Sequence, residues 1–485
     1  MNPDSSSQTG THVTTLLILG ASGDLTGRLL LPGLARLVGS GRARGLKLAG
    51  AGGPGYSQEK WQQRVNEVCA AAKKQATGQG GTELDKIAAD TRFAELDVTK
   101  PGELAALVHS LEGPVALYFA LPPAVSQKAC EVLEPGELPE STLLVMEKPF
   151  GSNQQSAQEL NRTLIRLVPE ENIHRVDHFL GKGTVFNILG LRFANHLLEP
   201  LFTSEHVEKM EIFYDEELAL EGRAGYYDGA GALRDMIQSH LLQILGLLTM
   251  NAPATLKERD VRDHLGSVLR ATALAGNPAQ NTRRARYTAG TSKGRPVPDY
   301  ASEEGVEPAL KTETLAEVTL NINNSRWAGV PFILRAGKAL GTARKEAIIT
   351  FRPVSHLPTG FKGTDEPTKL RIGFGPDTLS LDLDVNGPGD LYTLDRVTLA
   401  AELNSPDLLP YGEVLLGVLS GDPTLSVRGD TAEECWRIVD PILTAWADDA
   451  VPLAEYAAGG NGPADWDTNC TKPVNGTPAK AKARH

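Results

Sequence analysis

The sequence predicts two domains: an N-terminal α/β domain with a Rossmann-like, doubly wound parallel sheet, and a C-terminal β+α domain with a large, mainly antiparallel sheet and helices. Three observations predict this fold class. In the first part of the chain, short apolar runs alternate with helical segments. A glycine-rich turn directly follows the first apolar run. In the second half, strand-length runs alternate apolar and polar residues, which is typical of antiparallel strands.

Length and composition bound the class of protein. A chain of 485 residues is long for one core and predicts two or three domains. The net charge of -12 provides no basic field for nucleic acid. Four scattered cysteines form no CxxC pair, so neither a zinc site nor a disulfide framework is indicated. Residues 1–11 lack the apolar core of a secretory signal, and no apolar run approaches the roughly 18 residues that span a bilayer. We therefore expect a cytoplasmic protein without nucleic-acid or membrane partners.

The first strand, turn and helix are expected over residues 13–19, 20–27 and 28–38. Gly20 and Gly23 would let backbone amides approach a diphosphate at the N-terminus of the helix, where the helix dipole favours anions. The spacing differs from GxGxxG, so a purely structural turn is the alternative. The strand–turn–helix context favours dinucleotide binding.

Further strands and helices continue this alternation. Strands are expected over 46–50, 93–98, 115–120 and 141–146, and helices over 58–76, 124–133 and 153–168. Ligands on such sheets bind beyond the carboxyl ends of the strands. The glycine-rich turn, the segment 121–123 and Lys148 all fall at such ends. The Lys148–Pro149 bond is a candidate cis peptide, because X-Pro bonds tolerate that form at low cost.

A charged cluster ends this first region. Arg175, Asp177, His178 and Lys182 lie within eight residues. Burying such groups unpaired would cost several kcal/mol each, so they are poorly suited to a core. The residue types favour capture of a small anion, with one carboxylate left to orient a base. The alternative is a solvated loop.

A long helix is expected over residues 232–250, after a glycine-rich turn at 225–231. Its apolar residues recur at intervals of three and four and predict one buried face. His240 adjoins that face, where a structural core histidine is the alternative to a catalytic base. Further strands are expected over 209–214, 317–322, 332–334, 347–351, 370–374 and 379–383, with a polar loop over 290–305 and a helix over 431–447.

Several longer motifs together resemble the glucose-6-phosphate dehydrogenase family over nearly the whole chain. The motifs that carry the resemblance are residues 20–25 (GASGDL), 147–151 (EKPFG), 175–182 (RVDHFLGK), 225–228 (GYYD), 233–243 (LRDMIQSHLLQ), 312–314 (TET), 327–332 (WAGVPF), 334–338 (LRAGK) and 440–442 (DPI).

The resemblance implies oxidation of glucose 6-phosphate at C1 to 6-phosphogluconolactone, the oxidative branch of the pentose phosphate pathway, with hydride transfer to NADP or NAD. It implies that His240 is the general base and that Asp177 orients it. It implies that His178 and Lys182 hold the substrate phosphate. The residues implied to contact the sugar are Glu216, Asp235 and Lys338, with Lys148 between sugar and cofactor. The residues implied to contact the cofactor are Gly20, Ala21, Ser22, Gly23, Asp24, Leu25 and Lys148.

The resemblance also implies a domain plan and an assembly. We expect a flexible N-terminus at 1–11, a dinucleotide-binding domain at 12–180, a substrate and dimerisation domain at 181–465, and a flexible tail at 466–485. The large sheet of such enzymes forms a dimer interface, so a homodimer or homotetramer is expected. The chemistry requires a base near neutral pKa and no metal.

Four positions depart from the family pattern. Leu29 and Ala343 stand where lysines are usual, and Phe179 stands where a tyrosine is usual. Gly53 replaces the arginine that commonly clasps the 2′-phosphate of NADP, so the expected NADP preference gives way to a hypothesis in which NAD is also used. Two rival interpretations remain: a dehydrogenase of another sugar phosphate or a free sugar, and a non-catalytic paralogue that binds nucleotide or sugar phosphate.

Overall fold

A computed structural model describes residues 12–222, 224–363, 366–387, 389–404 and 407–466. The segment 1–11, predicted to be flexible, lies outside these residues, as does the predicted tail except for Trp466, which is buried. Within the described residues, no helix is long and apolar enough to cross a membrane.

The first domain is built on a twisted sheet. Its strands in chain order are β1 Thr15–Leu19, β2 Lys47–Gly52, β3 Arg92–Glu95, β4 Val115–Phe119, β5 Leu143–Glu147 and β6 Ile173–Val176. The order across the sheet is β6-β5-β4-β1-β2-β3, and all these neighbours are parallel. Its helices are α1 Leu31–Gly39, α2 Gln58–Lys73, α3 Gly80–Asp90, α4 Glu103–His109, α5 Pro123–Glu131 and α6 Gln154–Leu167. The predicted Rossmann-like domain is therefore confirmed.

Strand β1 lies at the centre of this sheet, between β2 and β4. All five of its residues are buried, because helices cover both faces of a parallel sheet. Strands β2 and β3 lie on one side of β1, and β4, β5 and β6 lie on the other. The order of the strands therefore reverses at β1, and the turns after β1 and β4 border one crevice at the carboxyl edge of the sheet.

The second region contains the large sheet. Its strands are β7 Val207–Asp215, β8 Thr272–Leu274, β9 Thr282–Thr288, β12 Leu315–Ile322, β13 Phe332–Gly337, β14 Arg344–Phe351, β15 Lys362–Gly363, β16 Lys369–Gly373, β17 Thr378–Asn386, β18 Thr393–Glu402 and β20 Leu453–Ala457. The path is β15-β18-β17-β16-β14-β7-β13-β12-β9-β20, and β8 pairs with β12. Most neighbours are antiparallel, as predicted, but β7 and β13 are parallel, as are the terminal pairs.

Helices pack beside this sheet. They are α7 Gly183–Phe193, α8 Ala224–Ala232, α9 Leu242–Thr249, α10 Glu258–Ala271, α11 Pro278–Asn281, α12 Pro410–Ser420 and α13 Gly429–Ala447. Short 3₁₀ turns occupy Glu170–Asn172, Glu199–Leu201, Tyr300–Ser302, Pro308–Leu310 and Pro423–Leu425. The helix expected over 232–250 forms, but its first half, Leu233–Leu241, is π-helical.

The chain returns to the first domain near its C-terminal end. Helix α12 packs against α1, and a short strand, β19 Ser426–Val427, pairs antiparallel with β6. The sequence indicated neither contribution, because both join segments more than 200 residues apart. The domain boundary expected at residue 180 stays a prediction.

Two local expectations were wrong. Residues 225–231 were expected to form a turn but lie within α8, where only Gly231 leaves the helical region, at φ 67° and ψ 173°. The polar loop expected over 290–305 contains a small hairpin, β10 Gly290–Ser292 and β11 Arg295–Val297. Short polar strands of this kind lack the apolar alternation by which strands are predicted.

Arg175 is a structural residue rather than part of an anion site. Its side chain is 0% exposed, and its guanidinium donates to both carboxylate oxygens of Glu170, at 2.7 and 3.1 Å. Its Nε donates to Asn161 Oδ1 at 3.1 Å. A buried arginine is tolerated when such a bidentate pair satisfies its donors.

Candidate active site

The centre of the site is a contact between Asp177 and His240. Asp177 directly follows β6, and His240 lies on the π-helical stretch Leu233–Leu241. The distance from His240 Nδ1 to Asp177 Oδ1 is 2.5 Å, and the two side chains are 1% and 2% exposed. The same carboxylate oxygen accepts a hydrogen bond from the Phe179 backbone N–H at 2.9 Å. The ring orientation is thereby set, leaving Nε2 for a substrate proton.

Burial governs the electrostatics of this pair. Burial lowers the pKa of His240 below its ordinary value of 6.5, although Asp177 opposes that shift. Burial alone would raise the pKa of Asp177, but the charge and hydrogen bond of His240 and the Phe179 N–H lower it to about 2. At neutral pH the arrangement is therefore a carboxylate beside a neutral imidazole, which is the state that a general base requires.

Aromatic rings surround His240. The Phe179 ring stacks on it at 3.9 Å between centroids and 13° between planes. The His178 ring meets it edge-on at 5.0 Å and stacks on Tyr411, at 5.5 Å and 10°. Burial, together with the charge of His240, lowers the pKa of His178 to about 3. Tyr411 comes from α12, so the returning segment of the chain positions a residue of the site.

The π-helical stretch begins at a backbone break. Gly231 has a positive φ, and a Cβ there would lie 2.4 Å from Glu313 Oε1. The Glu313 carboxylate instead accepts a hydrogen bond from the Leu233 N–H at 2.9 Å. At the other end of the stretch, the Leu242 N–H donates to Ile237 O, the i→i+5 pattern of a π-helix. Such stretches are frequent at functional sites.

Lysines gather where the carboxyl ends of β7 and β13 meet the start of β14. Lys182 Nζ lies 3.2 Å from the Tyr214 hydroxyl and 4.1 Å from the Phe179 ring centroid. Glu216 forms ion pairs with Lys338 at 3.0 Å and with Lys345 at 3.2 Å. Although burial raises the pKa of Glu216, these two lysines outweigh it and keep the pKa below its usual value.

Lys148 connects the two domains. The peptide between Lys148 and Pro149 is cis, as the sequence suggested. Lys148 Nζ donates to Asp235 Oδ1 at 3.0 Å and to the Asp235 carbonyl oxygen at 2.8 Å. The Tyr226 hydroxyl donates to the same carboxylate at 3.3 Å. Burial would raise the pKa of Asp235, but Lys148 holds it below its usual value.

The glycine-rich turn fits a dinucleotide diphosphate. Gly20 has φ 85°, and a Cβ there would lie 2.1 Å from Ala120 O, so only glycine lets the chain turn so close to β4. Thr26 Oγ1 donates to Gly20 O at 2.9 Å, and Arg64 Nη1 donates to the carbonyl oxygens of Ala21 and Gly23. The following helix presents its first backbone N–H groups, which have no partners within a helix.

Asp177, His178 and His240 could also hold a metal ion, because one ligand atom from each lies within 4.8 Å of the others. The His240–Asp177 hydrogen bond already uses one of these atoms on each residue. The expectation that the chemistry requires no metal stays a prediction.

The structure brings the expected residues into three groups. These are the pair Asp177 and His240 with His178; the basic group Lys182, Glu216 and Lys338; and Lys148 with Asp235. The turn that contains Gly20, Ala21, Ser22, Gly23, Asp24 and Leu25 lies at the same sheet edge as Lys148. Sequence reasoning missed Tyr214, Lys345, Glu313 and Tyr411. Two of these carried a signal in the sequence: Glu313 lies within the 312–314 motif, and Lys345 lies two residues after Ala343, where a lysine is usual.

A Rossmann-like domain whose nucleotide crevice borders a buried His–Asp pair is the architecture of a nicotinamide-dependent oxidoreductase. Family models agree with this class: "Glucose-6-phosphate dehydrogenase, NAD binding domain" matches residues 17–187 and "Glucose-6-phosphate dehydrogenase, C-terminal domain" matches residues 189–474. The chain belongs to the glucose-6-phosphate dehydrogenase family.

Named relatives cover nearly the whole chain. It is 36% identical to glucose-6-phosphate 1-dehydrogenase of Gluconobacter oxydans and 37% identical to that of Treponema pallidum, over 92% of this chain and 94% and 92% of theirs. A crystal structure of the Mycobacterium avium enzyme superposes with a TM-score of 0.80 at 30% identity, covering 93% of this chain and 95% of that one. A glucose-6-phosphate dehydrogenase in complex with glucose-6-phosphate superposes at 0.81 and 28% identity, over 93% and 96%.

We predict that His240→Ala lowers kcat by at least about 100-fold, since a positioned base contributes that much or more. Asp177→Asn should also lower kcat strongly, because an amide cannot stabilise the imidazolium. Steady-state kinetics on both variants measure these losses. The exposed His109, whose Nε2 lies 2.9 Å from the Glu137 carbonyl oxygen, offers a matched control in His109→Ala. A near-normal kcat in His240→Ala would remove His240 from the role of base.

We also predict that the acid limb of the kcat profile lies below pH 6.5. A lowered His240 pKa keeps the imidazole neutral down to pH values below its ordinary 6.5, and activity is lost only as it protonates. Saturating substrate keeps ionisation of free substrate phosphate out of the profile. Burial raises the pKa of Glu147 to about 7, so Glu147→Gln is the control. A limb at or above pH 6.5 that persists in this variant contradicts the prediction.

Proposed function

We propose that this chain oxidises the C1 hydroxyl of glucose 6-phosphate and passes the hydride to a nicotinamide dinucleotide, giving 6-phosphogluconolactone. The observation that carries the proposal is the buried His240–Asp177 pair beside a dinucleotide crevice and a basic pocket. The names of the relatives support the substrate. A phosphate-binding role for His178 and Lys182 agrees with their place beside this pair.

Each step falls to a residue of the chain. His240 accepts the proton of the C1 hydroxyl through Nε2 as hydride leaves C1, and Asp177 stabilises the resulting imidazolium. Lys182 and His178 hold the phosphate and so supply binding energy remote from the reacting carbon. Glu216, Asp235 and Lys338 bind sugar hydroxyls. The nicotinamide, when bound, supplies the hydride acceptor.

Structural grounds weaken the ligand-binding paralogue and the free-sugar dehydrogenase. A paralogue that only binds ligand would not need the Asp177–His240 pair, and burying a carboxylate carries a desolvation cost even when it is paired. A free-sugar dehydrogenase would have no use for the cluster of lysines around Tyr214. Another hexose phosphate is the alternative that a substrate panel tests.

We further propose that the cofactor site accepts NAD without a strong preference for NADP. The loop after β2, residues 52–57, has the sequence GGPGYS and carries no cation. The neighbouring cations are engaged elsewhere: Arg64 donates to the carbonyl oxygens of Ala21 and Gly23, and Lys60 Nζ donates to Gly55 O at 3.3 Å. A 2′-phosphate would therefore lack the charge-assisted hydrogen bonds that favour it.

Steady-state rates with glucose 6-phosphate, other sugar phosphates and free sugars, each with NAD and NADP, test both proposals. We expect the highest kcat/KM with glucose 6-phosphate, and a value with NAD at least equal to that with NADP. No cofactor reduction with any sugar would favour the ligand-binding paralogue. A strong preference for NADP would contradict the proposed cofactor use alone.

Gly53→Arg sharpens this cofactor test. A Cβ at Gly53 meets nothing within 4 Å, so a substitution there creates no clash at the backbone. An added guanidinium should raise kcat/KM for NADP about 10-fold or more, from the usual worth of a hydrogen bond to a charged group. Gly53→Met adds similar bulk without charge and serves as the matched control.

We propose that the chain forms a homodimer through the outer strands of the large sheet. Strands β17 and β18 are poorly covered, and Leu399 on β18 is 58% exposed. Leu391 and Tyr392, just before β18, are also exposed. Exposed apolar side chains on a poorly covered sheet are typical of interaction sites.

A cytoplasmic location remains a prediction from the sequence.

We predict a mass of twice one chain in solution, measured by light scattering after size exclusion. Leu399→Glu should shift the protein toward monomer, because burying a carboxylate at an apolar interface is unfavourable. Leu256→Glu alters an equally exposed leucine away from this sheet and should leave the mass unchanged. A monomeric wild type, or a dimer unaffected by Leu399→Glu, would overturn the proposed interface.

A further inference from the structure

Lys345 lies beside the basic group of Lys182, Glu216 and Lys338, although the sequence analysis assigned it no role. Its Nζ is 3.2 Å from Glu216 Oε1 and 4.6 Å from the centroid of the Tyr214 ring. Lys182 approaches the same tyrosine, at its hydroxyl. Tyr214 is therefore flanked by two ammonium groups, one of which is expected to hold substrate phosphate.

The strand register places Lys345 there. In the antiparallel pair β7–β14, Lys345 is directly opposite Tyr214, so their side chains lie on the same face at about 5 Å between Cβ atoms. Ala343 directly precedes β14, which begins at Arg344, so Lys345 lies two residues along the chain from the position where the family usually has a lysine. The register with Tyr214 places the Lys345 ammonium beside Lys182 and Glu216.

The charge of the pocket is not balanced by the protein. Lys182, Lys338 and Lys345 contribute three ammonium groups, and among the described residues Glu216 is the carboxylate that forms ion pairs with them. Burial raises the pKa of Tyr214, which keeps its phenol neutral. The excess of two positive charges matches a phosphate monoester, which carries about -1.5 to -2 at neutral pH.

We propose that Lys345 is a substrate-binding residue that contacts the 6-phosphate together with Lys182, and so supplies the cation absent at Ala343. This rests on the proposed function for the identity of the ligand. On binding, the Lys345 ammonium moves from Glu216 Oε1 to the phosphate, while Lys338 continues to neutralise Glu216. Glu216 is thereby released on one side to accept a hydrogen bond from a sugar hydroxyl.

Isothermal titration with glucose 6-phosphate and with free glucose tests this without relying on turnover. For Lys345→Met we expect Kd for glucose 6-phosphate to rise about 10- to 100-fold, the usual effect of losing one charged hydrogen bond. The affinity for glucose should change little. Steady-state kinetics should show the same rise in KM with kcat nearly unchanged. Lys293→Met is the matched control, since Lys293 pairs with the neighbouring Glu217 at 3.0 Å.

A rescue variant separates phosphate binding from support of Glu216. Ala343 is exposed, so Ala343→Lys in the Lys345→Met background should restore most of the lost affinity. If Lys345 only held Glu216, Lys345→Met would weaken the binding of glucose and of glucose 6-phosphate equally. That result would overturn the proposal, as would an unchanged Kd for glucose 6-phosphate. Lys345→Gln replaces Lys345→Met if the latter unfolds. Wild-type turnover of glucose 6-phosphate separately decides the proposed function.

Discussion

Burial of the Asp177 carboxylate between the two domains is the constraint on which the site depends. A carboxylate removed from water costs several kcal/mol unless donors satisfy it. Two donors contact its Oδ1, namely His240 Nδ1, which is 63 residues away in sequence, and the Phe179 N–H, whereas its Oδ2 is buried with no hydrogen-bond partner among the described residues. The fold must therefore hold a helix of the second region against the end of a strand of the first. Gly231 and Glu313 contribute, because the break at Gly231 and the hydrogen bond that Leu233 N–H donates to Glu313 set where the π-helical stretch begins.

The two sheets meet at strand ends, and this explains how so many polar groups converge. Lys148 and Asp177 follow the adjacent parallel strands β5 and β6. Glu216 and Lys338 follow the adjacent parallel strands β7 and β13, and Lys345 lies at the start of antiparallel β14, which begins at the same edge. Strand interiors supply the buried core and their ends supply the chemistry, as in other open α/β sheets. The parallel pair within a mainly antiparallel sheet is what brings Lys338 to Glu216.

The sequence predicted most strands and helices to within a few residues, because their periodicity reports directly on burial. The resemblance named candidate site residues, and the structure brings them into three groups; their roles stay predictions. Other features depend on partners that a sequence does not display. Arg175 has the charge of an anion-binding residue, but Glu170 and Asn161 occupy it. A π-helix differs from an α-helix by one step of hydrogen bonding and keeps the same apolar pattern. Tyr411 reaches His178 only through a return of the chain to the first domain.

Three of the four departures from the family pattern, at Phe179, Ala343 and Gly53, divide by location. At the lysine group around Tyr214, neighbouring residues supply related groups: Lys345 Nζ lies 4.6 Å from the centroid of the Tyr214 ring, and the Tyr214 hydroxyl meets Lys182 beside Phe179, which has no hydroxyl. The Phe179 ring is itself retained against His240. At the nucleotide end nothing comparable occurs, since loop 52–57 has no cation and Arg64 and Lys60 bind backbone carbonyl oxygens. Gradual loss of function would be expected to remove positive charge both from the lysine group around Tyr214 and from the nucleotide crevice. A chain with clustered lysines near Tyr214 and no cation in loop 52–57 instead agrees with the proposals that it oxidises glucose 6-phosphate and that it accepts NAD without a strong preference for NADP.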